Sequence, residues 1–290
     1  MDRTKAVACV VCLCLSACSR PDKIVVGSKN FTEQLILGEI LAQQIERSLR
    51  IKVERRLNLG GTLLAHQALV AGAIDIYPEY TGTALTAVLR HAPETDPQTV
   101  RNIVKKSYAD RFQLAWMSPF GFNNTFAMVI RKTDTQSGAI STLTNAAAAR
   151  PWKLGVGYEF LQRPDGFPGL SSTYGLRSDG APVTMDLGLL YTALRGGQVD
   201  MVAANSTDGM LSVLDAAVLV DDRHYFPPYE CAAVVRSAVL NRYPNLETAI
   251  NALGGRISAE RMRVLNYEVD GHHRPLREVA GAFLSSLAAN

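Results

Sequence analysis

Apolar residues along this chain recur at two spacings that alternate from one segment to the next. Residues 24–27 form a short apolar run ending at a glycine, which is typical of a buried strand. Apolar residues at helical spacing follow from Leu35 to Ile45, and residues 51–57 alternate between apolar and charged, as in a half-exposed strand. A helix over 62–70 and a strand over 74–77 continue the series. This alternation predicts an α/β fold, in which helices cover a parallel sheet.

The rest of the chain continues the pattern without a low-complexity linker. Helices are predicted over 99–110 and 141–150, and the tail from Leu246 to Leu287 is mostly helical with a break at Gly254-Gly255. Further strands are predicted over 112–117, 125–130, 216–220 and 232–235. Since no flexible segment separates these elements, the pattern favours two lobes that are joined by short crossing strands.

One stretch of the pattern occurs twice. Residues 68–76 read ALVAGAIDI and residues 193–201 read ALRGGQVDM, so Ala, Leu, Gly and Asp coincide at a constant offset. A fainter match relates residues 23–27 to residues 153–157. A fixed offset predicts two related α/β units with a crevice between them, where small ligands usually bind. The alternative is a chance match, because these four residue types are common.

The N-terminal segment differs from the rest. A short positive region precedes ten apolar residues from Ala6 to Leu15, a length that suits a signal peptide and is too short to cross a bilayer. The following Leu15-Ser16-Ala17-Cys18 resembles a bacterial lipobox. That resemblance implies a signal peptide over 1–17, lipidation of Cys18, and a tether over 18–21 that anchors the protein in the periplasm or at the cell surface. A secretory signal without lipid is the alternative.

Composition excludes several classes of protein. The chain has 290 residues, 47% of them hydrophobic and 20% charged, which is typical of a soluble globular protein with room for two domains. A net charge of +3 without a basic, aromatic-rich run argues against nucleic acid as a partner. Beyond the N-terminal segment only Cys231 remains, so neither a disulfide nor a cysteine metal site is predicted.

The sequence carries none of the common catalytic motifs. G-x-S-x-G, G-x-x-x-x-G-K-[ST] and H-E-x-x-H are all missing, and residues 155–157 lack the third glycine of a dinucleotide fingerprint. His66 lies among apolar residues of a predicted helix, and His272 and His273 are adjacent, so their side chains diverge. The chain is therefore expected to be a protein without enzyme activity, cofactor or metal. A triad of scattered residues, as in a periplasmic hydrolase, stays open.

Two aromatic segments carry the positive signal. Residues 77–83 are predicted to form a loop after the strand at 74–77, and such loops line the ligand crevice of open α/β sheets. Residues 225–229 place two prolines within a second aromatic cluster. Quaternary ammonium ions cannot donate hydrogen bonds, so proteins usually bind them in cages of aromatic side chains. The alternative is that these tyrosines only pack.

Six motifs, spread in order along the chain, resemble a known family. They are G-S-K-N-F-T-E-Q (27–34), Y-P-E-Y-T-G-T (77–83), G-F-N-N-T (121–125), E-F-L-Q-R-P-D-G (159–166), S-T-D-G (206–209) and F-P-P-Y-E (226–230). Together they resemble the substrate-binding proteins of osmoprotectant ABC importers, which bind glycine betaine, choline, carnitine and related compounds. The likeness covers residues 22–288.

This resemblance implies a two-lobed periplasmic-binding-protein fold of the type II kind. Each lobe is expected to be a mostly parallel sheet with flanking helices, and the ligand cleft is expected between the lobes. The predicted boundaries are 22–126 plus 230–290 for lobe one and 127–229 for lobe two. The implied partners are a small quaternary ammonium zwitterion or cation and an ABC permease with its ATPase. The protein is expected to be a monomer.

The resemblance also implies which residues form the cage. In that family four tyrosines surround the trimethylammonium group, and Tyr80 and Tyr229 match two of them. Phe126 keeps the π-face of the third and loses its hydroxyl. Asn205 replaces the fourth and loses the ring, although by the internal repeat it is the counterpart of Tyr80. A missing cation–π contact removes about 0.5–2 kcal/mol, so Asn205 is expected to weaken betaine binding or to change selectivity.

In the family an arginine binds the carboxylate of a betaine, and Arg163 matches that arginine. The resemblance implies that Lys29 and Thr83 assist it. A guanidinium suits this role because it donates two parallel hydrogen bonds. Because Asn205 breaks the cage, a different ligand such as ergothioneine or an amino acid is the main alternative. A sensor or structural lipoprotein, which would bind no ligand, is another.

Overall fold

The structure, a computed structural model, describes residues 23–135 and 137–288. The predicted signal peptide, Cys18 and the tether lie outside the described residues. In the described part of the chain, the strands form two five-stranded sheets. The strands are β1 (Ile24–Gly27), β2 (Val53–Arg56), β3 (Ile76–Tyr80), β4 (Leu114–Trp116), β5 (Phe126–Arg131), β6 (Leu154–Val156), β7 (Val183–Thr184), β8 (Met201–Asn205), β9 (Ala216–Val218) and β10 (Cys231–Arg236).

Helices flank both sheets. They are α1 (Thr32–Leu49), α2 (Thr62–Val70), α3 (Thr81–Thr83), α4 (Pro97–Phe112), α5 (Leu143–Ala149), α6 (Tyr158–Gln162), α7 (Phe167–Tyr174), α8 (Leu190–Arg195), α9 (Ser237–Arg242), α10 (Leu246–Asn251), α11 (Ala259–Asp270) and α12 (Leu276–Ala288). A π-helical turn over Ala84–Val88 continues α3, and 3-10 turns cover Lys132–Thr135, Leu187–Leu189 and Gly209–Ser212.

The two sheets have equivalent topologies. Their strand orders are β2-β1-β3-β10-β4 and β7-β6-β8-β5-β9. In each sheet four strands point one way, and the strand that arrives from the other half of the chain, β10 or β5, runs against them. The predicted α/β fold with two mostly parallel sheets is thus confirmed. We call β1–β4 with β10 and their helices the first lobe, and β5–β9 with theirs the second; the residue boundaries given above stay a prediction.

The repeated sequence forms the same turn in both lobes. Gly72 and Gly197 each have a φ of +70°, a left-handed conformation that favours glycine because it lacks a Cβ atom. The aspartates that follow also make equivalent contacts, since Asp75 pairs with Arg236 at the end of β10 and Asp200 with Arg131 at the end of β5. The sequence repeat therefore corresponds to a repeated structural unit.

Apolar side chains of the strands face two sides of each sheet. In β1, Ile24 and Val26 belong to one buried cluster while Val25 belongs to another. In β5, Met128 and Val129 divide between two clusters in the same way. Neighbouring residues of a strand point to opposite faces, so a sheet covered by helices on both faces needs continuous apolar runs. This explains why these strands appear in the sequence as unbroken apolar segments.

The prediction of a loop over 77–83 after a strand at 74–77 is wrong. Strand β3 covers Ile76–Tyr80 and pairs with β10 as far as Tyr80 and Cys231. Proline usually argues against a central strand because it cannot donate a hydrogen bond. Pro78 is tolerated because β1 pairs with β3 only at Ile76, which leaves Pro78 with a neighbouring strand on one side only. Tyr80 is therefore fixed by a strand and not by a loop.

Candidate ligand-binding cleft

A cavity of about 620 Å³ lies between the two lobes. It is reached by the carboxyl ends of β3 and β8, the edge at which open α/β sheets bind ligands. The structure brings all seven predicted site residues to its wall, although their contact with a ligand stays a prediction. They are Lys29, Tyr80, Thr83, Phe126, Arg163, Asn205 and Tyr229.

Aromatic rings form one part of this wall. The ring of Phe126 lies edge-on to Phe160 at 4.9 Å and to Tyr229 at 5.8 Å between centroids. Tyr80 stacks with Phe31 at 6.3 Å. We call Phe31, Tyr80, Phe126, Phe160 and Tyr229 the aromatic wall. Phe31 and Phe160 were not among the predicted site residues, because the sequence motifs that contain them were interpreted for their polar positions.

Arg163 enters the cavity already paired with an acid. Its Nε donates to Oδ1 of Asp165 at 2.9 Å and its Nη2 to Oδ2 at 2.5 Å. Nη2 also reaches Oγ1 of Thr83 at 3.2 Å, and the phenol of Tyr229 donates to Asp165 at 2.6 Å. Although burial raises the pKa of Asp165, the charge and hydrogen bonds of Arg163 hold that pKa below its usual value. Much of the positive charge predicted to receive a carboxylate is thus compensated within the protein.

Lys29 is paired in a similar way. Its ammonium nitrogen lies 2.5 Å from Oε1 of Glu79, and both side chains are buried. The phenol of Tyr77 donates to the other oxygen of Glu79 at 2.8 Å. The same ammonium lies 5.2 Å from the centroid of the Tyr80 ring. Lys29 therefore positions the end of β3, and Glu79 compensates its charge, while its contact with a ligand stays a prediction.

Glu33, which the sequence analysis did not single out, joins the two lobes. Its Oε1 accepts hydrogen bonds from Tyr80 (2.7 Å) and Asn124 (2.8 Å). Its Oε2 accepts from Thr207 of the second lobe (2.5 Å) and from Asn266 (3.2 Å). Burial raises the pKa of Glu33, and the donors oppose that increase in pKa only in part. Glu33 lies within the motif at 27–34, but the motif did not indicate its role because its partners are far away in the sequence.

A second contact crosses the cleft at the start of α2. The carboxylate of Glu159, on α6 of the second lobe, accepts from the backbone nitrogen of Thr62 at 2.6 Å and from its hydroxyl at 3.0 Å. A carboxylate at a helix N-terminus satisfies unpaired N–H groups and complements the helix dipole. The preceding Gly61 makes room, since a Cβ there would lie 2.5 Å from Oε1 of Glu159. The other lobe therefore caps this helix.

Asn205 faces the cavity beside an acid. It ends β8 and pairs with Phe126 in the sheet, and its backbone nitrogen donates to Oδ2 of Asp208 at 3.1 Å. The phenol of Tyr191 donates to the same oxygen at 2.8 Å. Burial raises the pKa of Asp208 to about 6. The wall at Asn205 is therefore polar and acidic, in contrast to the aromatic wall.

Other features of the described chain leave the cleft as the main candidate. His66 packs against the rings of Tyr108 and Phe112 in the core of the first lobe. Among residues 23–135 and 137–288, no group of three or more His, Cys, Asp and Glu is arranged to hold a metal ion. Over the same residues, each helix is too short or too polar to cross a membrane.

Comparisons with known proteins agree with this geometry. Residues 22–286 match the family model of the substrate binding domain of ABC-type glycine betaine transport system. The carnitine transport binding protein OpuCC of Listeria monocytogenes is 35% identical over 94% of this chain and 91% of its own length. An ergothioneine transport permease/ergothioneine binding protein of Helicobacter pylori is also 35% identical, over 91% of this chain and 47% of its own length.

A solved structure gives the same result for the fold. The crystal structure of a glycine betaine/carnitine/choline ABC transporter superimposes with a TM-score of 0.76 at 32% identity, and covers 91% of this chain and 98% of that chain. The chain therefore belongs to the family of substrate-binding domains of ABC-type glycine betaine transport systems.

Proposed function

We propose that this protein captures a small quaternary ammonium compound, of the class of glycine betaine, choline and carnitine, and releases it unchanged to the permease of an ABC importer. Tyr80, Phe126 and Tyr229 would surround the ammonium group, as the family resemblance implies. The observation that carries the proposal is that their rings line a single cavity between two lobes.

The chemistry of the ligand explains why rings are needed. A quaternary ammonium ion offers no N–H group, so hydrogen-bond acceptors alone cannot hold it. Aromatic faces attract it with about 0.5–2 kcal/mol for each ring. The guanidinium of Arg163 lies 5.1 Å from the Phe126 centroid and 5.9 Å from that of Tyr229. Both rings also line the cavity, where a ligand cation would lie.

Arg163 would receive the carboxylate of a zwitterionic ligand. Its hydrogen bonds to Asp165 and Thr83 use Nε and Nη2. Within the described residues Nη1 has no hydrogen-bond partner, and Arg163 lines the cavity. We therefore assign one nitrogen, Nη1 with its two N–H groups, to the ligand, rather than the parallel donors from two nitrogens that an unpaired arginine would offer. Thr83 orients the guanidinium, and Lys29 holds the end of β3.

Contacts between the lobes support a binding protein that encloses its ligand. Glu33 with Thr207, Glu159 with Thr62, and Arg163 with Thr83 all cross the cleft. A ligand that touches both lobes stabilises the form in which these contacts are made, which shifts the population of conformations toward closure.

The location of the protein follows from the family only in part. Substrate-binding proteins of ABC importers are extracytoplasmic. Anchoring by a lipid on Cys18, and a monomeric state, are further parts of our proposal. Mass spectrometry of the purified full-length protein would check the anchor, since an unmodified Cys18 would contradict it.

Calorimetric titration of residues 22–290, without the predicted signal peptide and tether, tests the proposal. We expect saturable binding of at least one of glycine betaine, choline, carnitine and ergothioneine, with one site for each chain. Proline serves as the control, because it is zwitterionic but lacks the trimethylammonium group. Absence of binding to all four ammonium compounds would refute the proposed function, and a ligand that is consumed during the titration would indicate an enzyme instead.

A further inference from the structure

Four polar side chains lie together on the cavity wall in addition to the aromatic wall. Asn205 and Asp208 belong to the second lobe, at and just after the end of β8. Asn266 and Asp270 belong to the first lobe, four residues apart on α11 and therefore on the same face of that helix. We call these four residues the polar wall. The family resemblance assigned a role to Asn205 alone.

One buried atom of the polar wall has no hydrogen-bond partner within the described residues. Asn266 is only 2% exposed, and its Nδ2 donates to Oε2 of Glu33 at 3.2 Å and to the backbone oxygen of Thr207 at 2.9 Å. These two bonds fix the orientation of the amide, because Nδ2 must face the acceptors. Its Oδ1 is buried and has no hydrogen-bond partner within the described residues. Leaving a buried acceptor unpaired costs free energy. The unpaired oxygen therefore suggests that a ligand supplies the missing donor.

The carboxylates of the polar wall also lack a compensating cation. Asp208 accepts from Tyr191 and Asp270 from Thr32 (2.6 Å), but neither has a basic side chain within 4.0 Å in the described part of the chain. Burial raises the pKa of both carboxyl groups. Their oxygens are thus the strongest acceptors on this part of the cavity surface.

The charged side chains that line the cavity also favour a ligand with hydrogen-bond donors. Its two basic side chains, Lys29 and Arg163, are compensated by Glu79 and Asp165. Five acidic side chains line it in addition: Glu33, Glu159, Asp186, Asp208 and Asp270. Such a surface favours a ligand with positive charge and hydrogen-bond donors, and it disfavours a second carboxylate-bearing group.

We propose that the polar wall is a second subsite of the cleft, which binds an O–H or N–H donor that the ligand carries beyond its quaternary ammonium head. This inference rests on the proposed function and narrows its ligand class to quaternary ammonium compounds with such a donor, for example an alcohol or an N–H heterocycle. Glycine betaine has no donor of this kind. The cavity of about 620 Å³ has room for a ligand that reaches both walls.

A matched pair of ligands tests the subsite. Choline and n-propyltrimethylammonium have the same charge and nearly the same size, but a methyl group replaces the hydroxyl in the second. We expect choline to bind about tenfold more tightly in calorimetry, because a site built around acceptors rejects an analogue that leaves them unpaired. Equal affinities for the two compounds would overturn the proposal.

Isosteric variants locate the effect. In Asp208→Asn and Asp270→Asn the preference for choline should fall by about threefold or more, because a neutral acceptor forms the weaker hydrogen bond. Binding of n-propyltrimethylammonium should weaken less than binding of choline, because this ligand loses only the attraction of the negative charge and no hydrogen bond. Asp215→Asn is the control, since that carboxylate lies in the second lobe with a side chain 78% exposed and does not line the cavity. An unchanged preference in both variants would overturn the assignment to the polar wall.

The two proposals fail in different ways. If choline, n-propyltrimethylammonium and the other quaternary ammonium compounds all fail to bind, the proposed function is wrong, and the proposed subsite is wrong as well. If n-propyltrimethylammonium binds as tightly as choline, the proposed function stands and the donor subsite is wrong. Circular dichroism of each variant confirms that a changed preference does not result from misfolding.

Discussion

Tyr80 and Asn205 occupy equivalent places in the two lobes, yet they give the cleft different surfaces. Each is the last residue of the central strand of its sheet, β3 or β8. Each also pairs with a residue of the antiparallel strand, Cys231 of β10 or Phe126 of β5. Tyr80 presents a ring and directs its hydroxyl to Glu33. Asn205 presents an amide beside an acid. The same scaffold thus carries an aromatic surface in one lobe and a polar surface in the other.

The difference separates residues that form the scaffold from residues that select a ligand. The turn glycines and the aspartate–arginine pairs, Asp75 with Arg236 and Asp200 with Arg131, are alike in both lobes. These pairs hold the start of β3 against β10 in the first lobe and the start of β8 against β5 in the second. Both lobes require this contact. The residues at the ends of those strands face the cavity and are free to differ. Ligand choice is therefore expected to depend on few positions.

Removing a ring from the aromatic wall should have the largest effect. We expect Tyr229→Ala to weaken binding of every quaternary ammonium ligand by about 10- to 30-fold, because one ring supplies up to about 2 kcal/mol of cation–π attraction. The thermal midpoint should be measured as well, since the phenol of Tyr229 also donates to Asp165. Calorimetry with choline and glycine betaine gives the affinities.

Tyr229→Phe is the matched control for this prediction. It keeps the ring and removes only the hydroxyl, so its affinity should stay within about threefold of wild type if the ring provides most of the attraction. Equal losses in the two variants would mean that the hydrogen bond to Asp165 matters more than the π-face. An unchanged affinity in Tyr229→Ala would contradict the cage altogether.

Much of this architecture could be predicted from the chain itself. The helix over 62–70 has the predicted bounds, and the strand at 24–27 does too, because each has a clear apolar pattern and a glycine at one end. The repeat predicted two equivalent units. The seven site residues gather at one cavity, although motifs and not physical reasoning had identified them.

What the sequence did not indicate is pairing over long distances. Asp165 follows Arg163 in a motif, yet only the fold shows that its carboxylate takes two of the arginine's donors. Glu33 appeared only within the motif at 27–34, and Asn266 carried no signal in the sequence. Their importance comes from being buried together, 233 residues apart in the chain. The extent of β3 was missed for a local reason, since proline normally disfavours a central strand.

Glu33 connects the two surfaces, because it accepts from Tyr80 and from Thr207, and this suggests a test by pH. Burial raises its pKa above the ordinary value of 4.5, so the native state is stabilised by protonation and loses that contribution as the pH rises through the raised pKa. We expect the free energy of unfolding of wild type, relative to Glu33→Gln, to fall as the pH increases above 4.5. Urea denaturation at several pH values measures it.

The size and sign of that difference both matter. At low pH, where Glu33 is protonated, wild type should be more stable by about 1–3 kcal/mol, because glutamine replaces one acceptor oxygen by a donor group. A difference that grows with pH would show that the hydrogen bonds outweigh burial and that the pKa is lowered. Glu247→Gln, at an exposed position outside the cleft, controls for general effects of charge.

Replacing the amide by a ring should have the smallest effect and tests the comparison most directly. In Asn205→Tyr the second lobe regains an aromatic residue at the position equivalent to Tyr80. We expect glycine betaine to bind up to about fivefold more tightly, corresponding to roughly 1 kcal/mol of added cation–π attraction. The preference for choline over n-propyltrimethylammonium should decrease at the same time, because a ring beside Asp208 covers part of the polar wall.

Calorimetry with all three ligands separates these effects. If the affinity for glycine betaine rises and the preference is unchanged, Asn205 belongs to the cage alone; if neither changes, the two strand ends do not share a ligand.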